Sequence, residues 1–129
     1  MKKIISTPDA PAAIGPDSQA IEMNGTLYVS GQLPVNPADG TMPEGIAAQT
    51  RRALQNIGAI LKAAEADYED VVKTTVLLQD IAHFGEMNQV YAQFFPVCSP
   101  ARVCYQVAAL PKGALIEIDA IAEIKKPAD

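Results

Sequence analysis

The chain has 129 residues, 49% of them hydrophobic and 19% charged, which is typical of one globular domain over residues 1–129. Its net charge of −5, with no basic cluster longer than a pair, disfavours a nucleic-acid partner. No apolar run approaches the roughly 20 residues of a membrane helix, so we expect a cytoplasmic protein with no membrane partner.

The first half of the chain predicts a β-hairpin, a loop and a helix. Strands over 20–23 and 26–30 flank Asn24-Gly25, a dipeptide that supplies the positive φ angles of a two-residue turn. Residues 31–45 hold three prolines and three glycines and predict a loop. From Ile46 to Ala64, apolar residues recur at the spacing of one helix face.

The second half predicts a strand, a helix and two further strands. Residues 71–78 are β-branched and largely apolar, which indicates a strand covered on both faces. A second helical stripe stops at Pro96 and consists of Phe84, Met87, Val90, Tyr91, Phe94 and Phe95. Residues 100–107 and 115–122 then alternate on either side of a turn over 110–114, which predicts a hairpin.

This last hairpin would bring an arginine and a carboxylate onto adjacent strands. Arg102 and Cys104 share one side of the first strand, and Glu117 and Asp119 share one side of the second. An arginine inside a strand that is otherwise apolar needs a partner or a ligand. We therefore expect Arg102 and Glu117 to face one pocket, with Asp119 as a solvated edge residue.

The order of elements predicts an α+β fold in which a mixed sheet carries both helices on one face. Two helices cover only one side of such a sheet, yet residues 71–78 leave little polar surface for the other. Because most soluble oligomers are symmetric homo-oligomers, self-association is the simplest way to bury that second face.

The cysteines and the single histidine suggest little chemistry of their own. Cys98 and Cys104 are expected to be free thiols in a reducing cytosol, and no base is arranged to activate Cys104 as a nucleophile. His83 precedes the second helix, and no close Cys/His spacing supplies a metal site. We therefore expect no metal, and we interpret Cys104 as a small residue of a pocket wall.

Six short motifs occur in the order and at the spacing of one known family. They are Ala13-Ile14-Gly15-Pro16 with Ser18-Gln19-Ala20, Ser30-Gly31-Gln32-Leu33-Pro34, Lys73-Thr74-Thr75-Val76, Asn88, Pro100-Ala101-Arg102 and Ile116-Glu117-Ile118. On these motifs the chain resembles the RidA reactive-intermediate deaminases, formerly called the YjgF family, over nearly its whole length.

The resemblance implies a fold, an assembly and a reaction. The fold is α+β and chorismate-mutase-like, in a homotrimer whose sheets line a central barrel and whose three clefts lie between subunits. Family members hydrolyse enamine and imine intermediates such as 2-aminoacrylate and 2-iminobutyrate, released by pyridoxal-phosphate dehydratases, to 2-keto acids and ammonia. The implied partner is a small carboxylate-bearing substrate.

The resemblance also implies residue roles. By similarity Arg102 binds the substrate carboxylate, Glu117 handles the attacking water, and backbone groups around Arg102 and Cys104 hold the imine nitrogen. Ser30 and Asn88 match positions that line the family's cleft. The chain departs from the family at Asp17, where a cleft tyrosine is usual, and in segment 96–100, which is about three residues short. An acid at position 17 would repel the substrate carboxylate.

The residue types suit this chemistry. A 2-imino acid presents a carboxylate, for which a guanidinium is a natural partner, and an electrophilic carbon that needs only a positioned water. A carboxylate can take a proton from that water and return one to the departing nitrogen. The reaction therefore requires no cofactor.

Two other functions compete with this one. Asp17 and the short segment 96–100 are compatible with a non-catalytic sensor whose Arg102 cleft binds a 2-keto or amino acid. An endoribonuclease role, sometimes attached to the family, suits the acidic chain poorly, because RNA binding depends on neutralising phosphates.

Overall fold

Six strands and two α-helices run through residues 1–125, the part of the chain that the computed structural model describes. In chain order they are β1 (Lys3–Ile5), β2 (Ala20–Met23), β3 (Thr26–Gln32), α1 (Ile46–Ala63), β4 (Val71–Leu78), α2 (Phe84–Phe94), β5 (Ala101–Gln106) and β6 (Ile116–Glu123). All the predicted elements form, with ends that agree to about two residues, and β1 is the strand that the patterns missed. Within residues 1–125, neither helix combines the length and apolarity needed to cross a membrane.

The hairpin predicted around Asn24-Gly25 is confirmed. Both turn residues have positive φ, 53° and 83°, and Met23 pairs with Thr26 across the turn. Further along β3 the register with β6 shifts between Val29 and Gln32. This irregularity lies at Ser30 and Gly31, two residues of one of the matched motifs.

The hairpin predicted between residues 100–107 and 115–122 is wrong. The sheet order is β1-β2-β3-β6-β4-β5, in which β4 lies between β5 and β6. The turn at Pro111–Gly113 carries the chain past the end of β4, where Gln79 N donates to Leu115 O at 3.0 Å. Burial explains the placement, because β6 has fully buried alternate residues and occupies the sheet centre, whereas β5 stays largely accessible and forms an edge.

Both helices pack on one face of the sheet, as predicted. Alternate residues of β6 join the buried faces of α1 and α2 in a single core, among them Ile116, Ile118, Leu54, Ile57 and Met87. Each large apolar side chain buried in this way contributes about 1.5–3 kcal/mol. This core fixes the side of the sheet on which α2 lies, and α2 carries Asn88.

Buried amides on α1 hold the loops that follow and precede the strands. Asn56 Nδ2 donates to the carbonyl oxygens of Leu33 at 3.0 Å and Val35 at 2.9 Å. Gln49 Oε1 accepts from Leu115 N at 2.8 Å. Hydrophobic spacing did not predict these side chains, because it identifies only apolar positions on a helix face.

The opposite face of the sheet is open within one chain. Tyr28, Val103 and Tyr105 on this face are 41–50% exposed, and Lys73 and Thr75 of β4 also reach it. The expectation that β4 is covered on both faces is therefore not met within one chain. The face is mixed in character, since charged and polar side chains interrupt its apolar surface.

Candidate functional site

Arg102 lies on β5 with its side chain on the face that carries the helices. Its partner across the strand pair is Thr74, which is fully buried. Arg102 Nη1 donates to Asn88 Oδ1 at 2.7 Å, and Arg102 Cζ lies 4.8 Å from the Tyr91 ring centre and 5.4 Å from that of Phe84. These are cation–π distances. One amide oxygen and two aromatic rings therefore hold the guanidinium.

The three residues that contact this guanidinium share one side of α2. Phe84, Asn88 and Tyr91 stand at positions i, i+4 and i+7, which face the same way on a helix. The sequence placed Phe84 and Tyr91 in an apolar stripe and did not predict their contact with Arg102. The available signal was an amide within that aromatic stripe, which is unusual on a purely core-facing surface.

The Arg102 guanidinium has no acidic partner among residues 1–125. The ion pairs in that part of the chain join Lys125 to Glu69 at 3.0 Å and to Asp70 at 3.7 Å. The groups that do hold Arg102 are neutral, so they leave its positive charge uncancelled. That charge is available to an anionic ligand, for which charge-assisted hydrogen bonds are strong.

Cys104 lies two residues further along β5, on the same face as Arg102, and packs half-buried against the core. Burial raises the pKa of its thiol, and the neighbouring Arg102 charge opposes this rise. A raised pKa lowers the fraction of thiolate, which is the nucleophilic form. This environment favours the interpretation of Cys104 as a wall residue.

Glu117 lies on the opposite face of the sheet from Arg102. Its partner on β4 is Leu77, three positions from Thr74, and an odd offset along a strand reverses the face. The expectation that Arg102 and Glu117 face one pocket is therefore wrong within one chain. The alternation of each strand was predicted correctly, but the pairing through β4 that relates the two strands was not.

The Glu117 carboxylate lies against Gly31 of β3. A Cβ added at Gly31 would stand 2.9 Å from Glu117 Cδ, so a side chain there would displace the carboxylate. Burial raises the pKa of Glu117, and the charge of Asp119 raises it further. Asp119 is half-buried and accepts a hydrogen bond from Thr75 N at 2.9 Å, so the expectation of a solvated edge residue is wrong.

Ser30 and Asp17 lie beside Gly31. Ser30 Oγ donates to Ser18 O at 2.6 Å and lies 3.3 Å from Asp17 Oδ1, which also accepts from Ser18 N at 2.8 Å. Asp17, Ser30 and Gly31 line a cavity of about 360 Å³ whose wall also includes Lys112. The exposed Asp17 carboxylate therefore stands at a pocket whose wall includes Gly31, the glycine against which Glu117 lies.

The candidate residues thus form two groups in one chain. The guanidinium group, on the helix-bearing face at the β5 edge, comprises Phe84, Asn88, Tyr91, Arg102 and Cys104. The carboxylate group, around β3 and β6, comprises Asp17, Ser30, Gly31 and Glu117. Among residues 1–125, no three His, Cys, Asp or Glu side chains come together as metal ligands.

Comparison with known proteins finds one family that matches most of the chain. Residues 7–124 match the endoribonuclease L-PSP family. The 2-iminobutanoate/2-iminopropanoate deaminase of Bos taurus is 57% identical over 123 residues, which cover 95% of this chain and 90% of that protein. The match spans nearly the whole chain.

Solved structures agree with this match. The Rid-family protein YyfA from Yersinia pestis has a TM-score of 0.94 at 47% identity, covering 96% of this chain and 100% of that one. TdcF from E. coli, solved with bound serine, has a TM-score of 0.92 at 42% identity, covering 95% and 99%. The resemblance seen in the motifs is confirmed, and the chain belongs to the endoribonuclease L-PSP family, the family of the Rid proteins.

Proposed function

We propose that this protein hydrolyses 2-imino acids, and the enamines that tautomerise to them, to 2-keto acids and ammonia. The observation that carries the proposal is the Arg102 guanidinium, which neutral groups hold in place and which keeps its charge for a carboxylate. The name of the Bos taurus relative, an imine deaminase, supports the reaction. The serine bound to TdcF supports a site for small amino-acid-like molecules.

Arg102 binds the substrate carboxylate. A guanidinium has five N–H donors, and Asn88 takes one of them at Nη1. A bidentate pair with a carboxylate uses two of the others. Because β5 is an edge strand among residues 1–125, its outer backbone groups near Arg102 and Cys104 can hold the imine nitrogen.

A second copy of the chain completes the site. Arg102 and Glu117 point to opposite faces of one sheet, so a substrate anchored on Arg102 must meet the Glu117 of another protomer. A homotrimer in which the guanidinium group of one protomer meets the carboxylate group of the next has three equivalent clefts. The open sheet faces, with Tyr28, Val103 and Tyr105, would then line a central barrel in a chorismate-mutase-like assembly.

Glu117 handles the water in this scheme. It takes a proton from a water molecule as the water oxygen bonds to the carbon of the C=N group, and it returns a proton to the nitrogen. Glu117 next takes the hydroxyl proton of the tetrahedral intermediate and delivers it to the amino nitrogen, so that the C–N bond breaks, the C=O bond of the 2-keto acid forms and ammonia leaves. The raised pKa of Glu117 suits a group that must both accept and donate.

A coupled assay tests the proposal. A threonine dehydratase supplies 2-iminobutyrate, and the wild-type protein should accelerate its decay. We expect Arg102→Ala to lower kcat/KM about 10- to 100-fold, because charged hydrogen bonds contribute roughly 1.5–3 kcal/mol. Arg51→Ala is the matched control, since Arg51 is exposed on α1 and bonds to Gln93 at 3.0 Å. Equal rates for Arg102→Ala and wild type would remove Arg102 from the site, and a wild type without effect would contradict the function.

A second candidate is a non-catalytic binder of small 2-keto or amino acids. The serine bound to TdcF and the exposed Asp17 carboxylate in the cavity favour it. Isothermal titration with 2-ketobutyrate, run beside the imine assay, separates the two functions. Tight binding without turnover would support the binder and contradict the deaminase.

The family's name also raises an endoribonuclease activity. The net charge of −5 disfavours it, because phosphate binding draws on clustered Lys and Arg. We expect a filter-binding titration to retain no RNA even at low salt. Retention of RNA that weakens steeply as the salt concentration rises would instead support an endoribonuclease.

A further inference from the structure

We propose that Tyr91 is the positioning residue that orients the Arg102 guanidinium for the carboxylate of the substrate. The inference rests on the proposed function and deepens it, since it names the group that prepares the anchor. It is drawn from three contacts that meet at one place, where α2 crosses the β4–β5 pair.

The Tyr91 ring lies between the sheet and the Arg102 guanidinium, and a hydrogen bond to the sheet holds it in place. Its hydroxyl lies 2.7 Å from Thr74 Oγ1, a bond between two buried residues. Thr74 is the direct cross-strand partner of Arg102. The bond therefore attaches the ring to the strand next to Arg102 and sets its face 4.8 Å below the guanidinium carbon.

Two further contacts restrict the guanidinium. Asn88 accepts from Nη1 at 2.7 Å, and the Phe84 ring lies 5.4 Å from Cζ. Together with Tyr91 they hold the guanidinium through neutral atoms only. A neighbouring carboxylate would hold the arginine as well, but it would cancel the charge that the substrate needs.

Preorganisation is the physical gain. A free arginine side chain has many rotamers, and ordering it at the moment of binding weakens the binding. The bond from Tyr91 to Thr74 orders the ring during folding, so the ring can order Arg102 before any ligand arrives. Electrostatic attraction between the ring face and the cation adds to this effect.

A purely structural role for Tyr91 makes a different prediction. Tyr91 is 6% exposed and its ring centre lies 4.8 Å from that of Phe95, so its loss would destabilise the core whatever it does for Arg102. A structural role would lower the free energy of unfolding and leave the affinity of the folded protein for a carboxylate unchanged. Affinity and stability must therefore be measured separately.

The experiment compares Tyr91→Leu with Tyr91→Phe by titration with 2-ketobutyrate and by imine kinetics. We expect Tyr91→Leu to raise Kd and KM about tenfold, because it removes the cation–π face. Tyr91→Phe keeps the ring but loses its bond to Thr74, so it should recover most of the affinity and leave Kd within about threefold of wild type. Phe94→Leu is the control on the same helix, because the Phe94 ring packs 5.3 Å from Tyr68, whereas the rings that lie over Arg102 are those of Phe84 and Tyr91. Wild-type affinity in Tyr91→Leu, or an equal loss in Phe94→Leu, would overturn the inference.

Two measurements keep the inference testable if a variant or a ligand fails. Phe84 is 39% exposed, so Phe84→Leu should fold even if Tyr91→Leu does not, and an unchanged Kd in Phe84→Leu would count against the aromatic support.

Without any ligand, the ¹H–¹⁵N signal of Arg102 Nε, assigned by its loss in Arg102→Lys, should be ring-shifted and slow to exchange in wild type. A solvent-like signal would overturn the inference whether or not the protein is a deaminase. Ligand binding that depends on Arg102 but not on Tyr91 would contradict this inference and leave the proposed function standing.

Discussion

Glu117 lies in surroundings that disfavour its charged form. It is half-buried against Gly31, and both burial and the neighbouring Asp119 charge raise its pKa. A carboxyl group with a raised pKa ionises nearer to neutral pH, where proton transfer in both directions is efficient. The same features cost stability when Glu117 is ionised, which is common where a site is built for chemistry.

The pH dependence of activity follows from this shift. The base form of Glu117 is required, so kcat/KM should rise with pH through the raised pKa and be lost below it. Asp119→Asn removes the charge that is one of the two causes of the raised Glu117 pKa. It should therefore move the acid limb of the pH profile, the range in which kcat/KM rises with pH, to lower pH. Glu117→Gln should still bind 2-ketobutyrate but lose at least about 100-fold in kcat. A limb that does not move in Asp119→Asn, or full turnover in Glu117→Gln, would assign the base elsewhere.

Asp17 offers a second test at the scale of single residues. Its exposed carboxylate lines the cavity beside Ser30, where it would repel a substrate carboxylate. We expect Asp17→Tyr to raise kcat/KM for 2-iminobutyrate about tenfold, equivalent to about 1.4 kcal/mol. Asp39→Asn is the control for charge alone, since Asp39 is exposed in a loop and is not part of that cavity lining.

The opposite outcome is also informative for Asp17. If the carboxylate recognises a substrate that carries an amino or guanidino group, Asp17→Tyr should lose activity toward basic imino acids. An Asp17→Tyr protein that matches wild type on both substrate classes would place Asp17 outside the site.

At the scale of elements, α2 combines two functions on one surface. Met87 packs into the core, while Phe84 and Asn88 contact Arg102. Tyr91 takes part in both, since it is buried in the core and carries the guanidinium on its ring. The position of Arg102 therefore depends on how α2 docks on the sheet, and core mutations in α2 are expected to affect substrate affinity as well as stability.

Helix α1 supplies a test of packing that is independent of the site. Gly58 leaves room for Tyr68, whose hydroxyl donates to Leu54 O at 2.7 Å, and a Cβ at Gly58 would lie 2.6 Å from Tyr68 Cζ. Burial also raises the pKa of Tyr68 to about 12, so the hydroxyl stays protonated and able to donate.

We expect Gly58→Ala to lower the free energy of unfolding by about 1–3 kcal/mol, because overpacking outweighs the gain in helix propensity. Gly85→Ala on α2 is the matched control, since nothing lies within 4 Å of a Cβ there. It should stabilise the protein by up to about 1 kcal/mol. Urea unfolding checks both, and stabilisation by Gly58→Ala would show that Tyr68 moves aside freely.

At the scale of the whole molecule, the Arg102 and Glu117 side chains, one from each group of site residues, point to opposite faces of one sheet. A functional site that uses both groups therefore needs more than one chain. We expect light scattering after gel filtration to give three times the chain mass of 13.7 kDa. The mass of a single chain at micromolar concentration would contradict both the barrel and the shared cleft.

Subunit mixing tests the shared cleft directly. Arg102→Ala and Glu117→Gln should each be strongly impaired alone, but when the two are unfolded and refolded together, some clefts combine an intact Arg102 with an intact Glu117. Random assembly of two equal populations should restore about a quarter of wild-type activity. If both residues act within one chain, mixing restores nothing, and that result would overturn the assembly proposed here.

The family and every strand and α-helix except β1 could be predicted from the sequence alone. Asn24-Gly25 determines its hairpin because positive φ is a local property, and the helices over 46–63 and 84–94 follow from the spacing of their apolar residues. Arg102 stands out in the sequence because a guanidinium in an apolar strand requires a partner or a ligand.

Only the tertiary structure decided how these parts meet. Local patterns cannot say that β6 inserts between β3 and β4, because strand order depends on pairing between segments far apart in sequence. That insertion sets the register through β4, and the register puts Glu117 and Arg102 on opposite faces. The support of Arg102 by Tyr91 has the same origin, since it arises where α2 packs across two strands. Alternation within a strand is a local property, but the face that a strand shares with its neighbours is set by long-range pairing and burial.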